Sequence, residues 1–172
     1  MKKEIVWVFG TSGSGKEMFI RNVYSNPGLL KKLGWTASSL VVCESSLNNI
    51  GQFDNDPITT AREQILTESP RLLSDADTVL IKWQLVDTEA SRPERLKALL
   101  PETRHRIIEL RAPKDELAQR LEQKRWWHDY GYEYEFINKE LKLVADTLGK
   151  MGDDFEHIVL DSGSHGSYAI VG

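Results

Sequence analysis

A strand that runs straight into a glycine loop ending in lysine constrains this chain more than any other feature. Ile5-Val6-Trp7-Val8-Phe9 is an unbroken apolar run of the kind found in a central parallel strand. Gly10-Thr11-Ser12-Gly13-Ser14-Gly15-Lys16 follows at once, and Met18, Phe19 and Val23 then recur at helical spacing. Strand, glycine loop and helix in that order are the context in which G-x-x-x-x-G-K makes a phosphate cradle. The glycines let successive backbone N–H groups converge on an anion, and the start of the helix adds its partial positive charge. Lys16 reaches the terminal phosphates. Residues Gly10 to Glu17 are therefore the expected nucleotide contacts.

Position eight of the pattern departs from it. A Ser or Thr hydroxyl there binds Mg²⁺, and this chain has Glu17. A carboxylate can replace the hydroxyl as a hard oxygen ligand, hold the metal through water, or repel the β- and γ-phosphates. Phosphate holding survives any of these, because backbone amides and Lys16 carry most of it.

The 172 residues are read as one domain spanning the whole chain. Net charge is -4, which gives no global electrostatic case for nucleic acid. Cys43 is the one cysteine, so no intrachain disulfide forms, and its apolar neighbours mark it as a small core residue. No apolar run approaches membrane-spanning length and the first strand begins almost immediately, so the expectation is a cytoplasmic protein without membrane contact.

Strand and helix signals alternate, the mark of an α/β fold with a mainly parallel sheet. Further strands are expected at Leu40 to Cys43, Thr78 to Ile81, Ile107 to Leu110 and His157 to Leu160. Asp56-Pro57 starts a helix that breaks at Ser69-Pro70, and Ser91 with Glu94 has capping-box spacing before a short helix stopped by Pro101. A helix opens at Pro113. Ile137, Leu141, Val144, Leu148 and Met151 make an amphipathic stripe ended by Gly152. The segment from Ser162 to Gly172 reads as a loose tail.

Two segments together carry a family resemblance. The glycine loop and the run Ile107-Ile108-Glu109-Leu110-Arg111-Ala112-Pro113-Lys114-Asp115-Glu116-Leu117-Ala118-Gln119-Arg120-Leu121 resemble the P-loop small-molecule kinases, which include nucleoside monophosphate kinases, shikimate kinase and gluconate kinase. In that family a strand ends in a turn, and D/E-x-L-x-x-R-L then leads into a basic lid. The resemblance implies the three-layer P-loop NTPase fold, a five-stranded parallel sheet flanked by helices, with nucleotide over the carboxyl ends of the strands. It implies a short lid at about residues 125–134. Arg120 would face the nucleotide, and Lys124 and Arg125 would close over the transferring phosphoryl group, as arginine fingers do. A solvated helix face is the plainer explanation of the same basic residues.

The acceptor is not written in the sequence. Glu44, at the end of the second strand, is a candidate to accept a hydroxyl proton, and Arg62 a candidate to grip an anionic acceptor. Lys82 and Gln84 stand where the third strand opens to the cleft. A lysine at such a position is not buried without a partner. Asp87 is a second candidate magnesium ligand beside Glu17. The D-G-F-P-R motif of adenylate kinases is absent, and so is a guanine-specifying N-K-x-D, which favours ATP over GTP. The expected function is ATP- and Mg²⁺-dependent phosphotransfer to a small molecule, first a nucleoside monophosphate and second a sugar or metabolite of the gluconate or shikimate type. A nucleotide-binding module that transfers nothing is the third reading.

Overall fold

The computed structural model describes residues 2–47, 55–83, 91–124, 134–163 and 167–171. Strand β1 (Glu4–Phe9) is buried along its whole length. It lies between β3 (Thr78–Lys82) and β4 (Arg104–Arg111), parallel to both. Outside these run β2 (Leu40–Val42) and β5 (Glu156–Asp161), also parallel. The tail is not loose: β6 (Ala169–Ile170) pairs antiparallel with β5, giving six strands in the order β2-β3-β1-β4-β5-β6. Two residues exchange too few side chains to leave a period-two pattern, which is why the sequence signals only five strands.

Alternation along β1 divides the core in two. Ile5, Trp7 and Phe9 face one side with Val79, Ile81, Trp83 and Ile107. They are covered by α3 (Asn55–Asp75), α4 (Ser91–Leu99) and α6 (Tyr134–Met151), through Leu66, Leu73, Leu96, Val144 and Met151. Val6 and Val8 face the other side and meet α1 (Lys16–Asn22) and α2 (Pro27–Leu33) through Phe19, Ile20, Leu29, Leu30 and Leu33. Helix α5 (Lys114–Glu122) packs on α6 through Leu117, Leu121 and Ile137. The result is a three-layer α/β fold. Each fully buried aliphatic or aromatic side chain contributes roughly 1.5–3 kcal/mol, which sets the layers.

Two local features differ from expectation. Helix α3 runs through Pro70 to Asp75 instead of stopping. Continuing buries Leu73 against the sheet, which offsets the cost of an interior proline, about 3 kcal/mol. Helix α2 gives a signal that is easily passed over: the Asn26 side chain accepts from the Leu29 amide at 3.0 Å, Pro27 opens the first turn, and Gly34 closes the last at φ 75°.

Register sets the level of the functional end. Val8 lies opposite Lys82, and Phe9 opposite Glu109, so the loop leaves β1 flush with the carboxyl ends of β3 and β4. At the opposite end the buried Glu4 carboxylate ties four elements together. It accepts from the Trp35 indole and from Thr78 at 3.2 Å, and it stands 3.8 Å from Arg104 and 3.6 Å from the buried Arg106.

Candidate nucleotide site

The loop from Gly10 to Lys16 connects β1 to α1. Gly10 has φ 148°, and a Cβ there would stand 2.6 Å from the Leu110 carbonyl oxygen, so no other residue fits between β1 and β4. Gly15 has φ 89° at the entrance to α1, in the left-handed region that glycine reaches without strain. These two positions fold the loop back over the end of β1.

Lys16 is buried inside that fold. Its Nζ donates to the carbonyl oxygens of Gly10 and Thr11, both at 2.8 Å. Burial draws its ammonium down from 10.5 to about 8, the nearby Glu140 carboxylate pulls it up, and Lys82 pushes it down again. Among the described residues this charged amine hydrogen-bonds to two neutral carbonyls, a poor compensation away from water that an anion over the loop would complete.

Glu140, on α6, is the residue that sequence reasoning missed. Its carboxylate accepts from the Ser12 amide at 2.8 Å and from the Ser12 hydroxyl at 2.7 Å. Burial raises its pKa, while the Ser12 bonds and Lys16 act the other way. The signal was present: Glu140 falls three residues after Ile137 and four before Val144, an acid in the middle of an apolar stripe.

Glu17 is held by two cationic side chains. Its carboxylate accepts from Arg21 at 3.0 and 3.1 Å and lies 3.5 Å from Lys82 Nζ. The Arg21 bonds hold it below the usual carboxylate range, burial opposes them, and Lys82 adds to them. Lys82 is itself buried, which lowers its pKa, with Glu17 raising it and Lys124 and Arg21 lowering it further. The buried strand-end lysine therefore has the partner expected of it.

Arg120 is a tether. Its guanidinium donates to the Gly13 carbonyl at 3.1 Å, to Ser162 Oγ at 3.1 Å and to the Gly163 carbonyl at 3.1 Å, and it pairs with Glu116. It thus fastens the glycine loop to the segment leaving β5. Lys124, one turn on, is exposed, and its field reaches Lys82. Glu44 begins the turn after β2 and lines a groove of about 550 Å³ with Arg21, Tyr24, Glu68 and Arg71, and Arg21 in turn bonds Glu17. Cys43 is buried, and burial pushes its thiol up to about 11, consistent with a core residue. Arg125, Gln84, Asp87, the side chain of Arg62 and the aromatic segment expected to form a lid lie outside the described residues.

No three His, Cys, Asp or Glu side chains among the described residues gather closely enough to hold a metal. The one carboxylate after Lys16 is already engaged with two cations. No helix among the described residues is long and apolar enough to cross a membrane.

No protein-family model matches this sequence, and no curated protein sequence matches it. Solved structures do. Shikimate kinase from Acinetobacter baumannii superposes with a TM-score of 0.55 at 15% identity, covering 95% of this chain and 86% of that one. Thymidylate kinase from Candida albicans gives 0.55 at 11% identity, covering 95% and 86%. Deoxyadenosine kinase from M. mycoides gives 0.53 at 16% identity, covering 94% and 92%. At these identities the likeness is one of fold: the chain folds as the P-loop small-molecule kinases do.

Proposed function

We propose that this protein binds ATP through the Gly10–Lys16 loop and transfers its terminal phosphoryl group to a small molecule. One observation carries the reading: a buried, under-compensated lysine stands inside a glycine loop, at the carboxyl end of a central strand. Open α/β sheets bind ligands at that end. The loop amides and Lys16 hold the terminal phosphates, and Arg120 keeps the loop fixed against the segment after β5. An acceptor oxygen attacks the γ-phosphorus as the bond to the β–γ bridging oxygen breaks. ADP leaves, and the acceptor's proton passes to a base, for which Glu44 is the candidate. Positioning and electrostatics supply the rate.

A nucleoside or nucleoside monophosphate is the first choice of acceptor, in keeping with two of the kinases that share the fold. A sugar or other metabolite is the second. One feature favours a different reading, a nucleotide-binding module that transfers nothing: Glu140 already occupies the Ser12 amide, beside Lys16.

ADP formation measured against a panel of acceptors, and without any, decides among them. Acceptor-dependent turnover is expected and names the substrate. Binding without turnover for every acceptor selects the module, and turnover unaffected by acceptor selects a nucleotide hydrolase.

A further inference from the structure

In loops of this pattern the residue after the lysine offers a hydroxyl to a divalent ion. Here residue 17 is a carboxylate, and it holds a lysine. Lys82 reaches it from the end of β3, 3.5 Å away, while Arg21 takes its other oxygen. The register of β1 against β3 brings Lys82 level with the start of the loop, and Trp83 N–H donates to the Val8 carbonyl at 2.9 Å to fix it there. The Lys82 charge acts on Lys16. A divalent ion at Glu17 would have to displace Lys82 or Arg21 and then sit among Lys16, Lys82 and Arg21. Like charges gathered around one ion repel it, even at the solvent-exposed Glu17–Arg21 pair.

We propose that the Lys82 ammonium, held by Glu17, is the counter-charge to the nucleotide's terminal phosphates, and that Glu17 ligates no divalent cation when the nucleotide binds. This rests on the nucleotide reading of the loop. Glu17 keeps Lys82 charged and oriented at the strand end while the loop is empty. When phosphate arrives, Lys82 and Lys16 flank it from two elements, β3 and α1. The Glu17–Lys82 pair then does two jobs that a hydroxyl and a metal would otherwise share, carrying positive charge and joining the loop to the neighbouring strand.

The test is the ratio of ATP dissociation constants in EDTA and in MgCl₂, measured by calorimetry on the full chain. The wild-type ratio is expected within about threefold of one, because Glu17 makes no bond to the metal and free ATP and its magnesium complex meet the same two ammonium groups. Lys82→Met should raise the ratio by about tenfold or more, since metal-borne charge then compensates for the missing ammonium. Lys82→Arg should keep the ratio low, and circular dichroism establishes that each variant folds. A wild-type ratio above about tenfold overturns the proposal and leaves the nucleotide reading standing. The wild-type ratio decides this even if no variant folds. Absence of ATP binding in both buffers overturns the nucleotide reading, and this proposal with it.

Discussion

The two ends of one sheet use buried charge for opposite purposes. At the amino end, Glu4 sits between Arg104 and Arg106, and Glu156 takes the other side of both arginines, at 2.8 Å from Arg104 Nε and 3.4 Å from Arg106 Nε. Acids and bases meet across β1, β4 and β5, and Arg106 adds a bond to the Leu33 carbonyl at 3.2 Å. At the carboxyl end, Lys16 is turned back on backbone carbonyls, Lys82 shares Glu17 with Arg21, and Glu140 sits on a loop amide. Ion pairs that close on themselves fix strand register. Lys16, turned on neutral carbonyls and with its pKa displaced by burial, is the charge that the proposed function gives to a phosphate.

The largest expected effect breaks the amino end. Arg106→Met removes a buried partner of Glu4, and breaking such a pair costs about 3 kcal/mol of stability. Urea denaturation measures it. ATP affinity of the folded fraction should be unchanged, and a loss of affinity would mean that the two ends are coupled.

Next comes the tether. Arg120→Ala frees the Gly13 and Gly163 carbonyls from a shared donor. ATP affinity should fall about tenfold, in line with the loss of charge-assisted hydrogen bonds, and amide exchange in the loop should speed up. Arg120→Lys should not rescue it, because an ammonium cannot span the several acceptors that the planar fork reaches. Full rescue by lysine would reduce Arg120 to a point charge.

The pH dependence sharpens the contrast. Burial lowers the Lys16 ammonium from 10.5 to about 8, so across that window the unfolded chain binds more protons than the native one. The Lys16 contribution to stability therefore rises with pH between about 8 and 10.5, while phosphate affinity falls as the amine loses its charge above about 8. ATP titrations from pH 7 upward should show weakening on the alkaline side, with proton uptake on binding. A flat profile would remove Lys16 from phosphate contact.

The smallest effect concerns Glu140. Glu140→Gln keeps a hydrogen-bonding group on Ser12 and removes a negative charge beside the phosphate position. Affinity for ATP at pH 7 should tighten a few-fold, about 1 kcal/mol, a modest Coulomb change at high effective dielectric. Because Glu140 supports the charge on Lys16, the alkaline loss of affinity should also begin at lower pH. Weaker binding would make Glu140 a clasp that shapes the loop.

Much of this was legible in the sequence because it is local. The apolar run of β1, the glycine spacing and the helical stripe of α6 each lie within a few consecutive turns or residues, where periodicity speaks directly. Glu140 was harder, since an acid inside an apolar stripe signals something buried but does not say what it meets. The Glu17–Lys82 pair was beyond reach, because it depends on the register of β1 against β3 across 65 residues of chain. Arg120 was found by resemblance and expected over the nucleotide, whereas its described bonds go to the loop and to the segment after β5. The acceptor side stays the least legible: Glu44 follows β2, Arg62 falls within α3 and Lys82 ends β3, and no local motif joins them.

The central claim is that the carboxyl-end charges exist to meet phosphate, and calorimetric ATP binding by wild type and Lys16→Met tests it most directly. Methionine preserves the buried volume and removes a charge that burial penalises, so Lys16→Met should fold at least as stably as wild type. It should lose ATP affinity by about a hundredfold or more, equivalent to about 3 kcal/mol. A folded Lys16→Met that binds ATP as tightly as wild type would contradict the account.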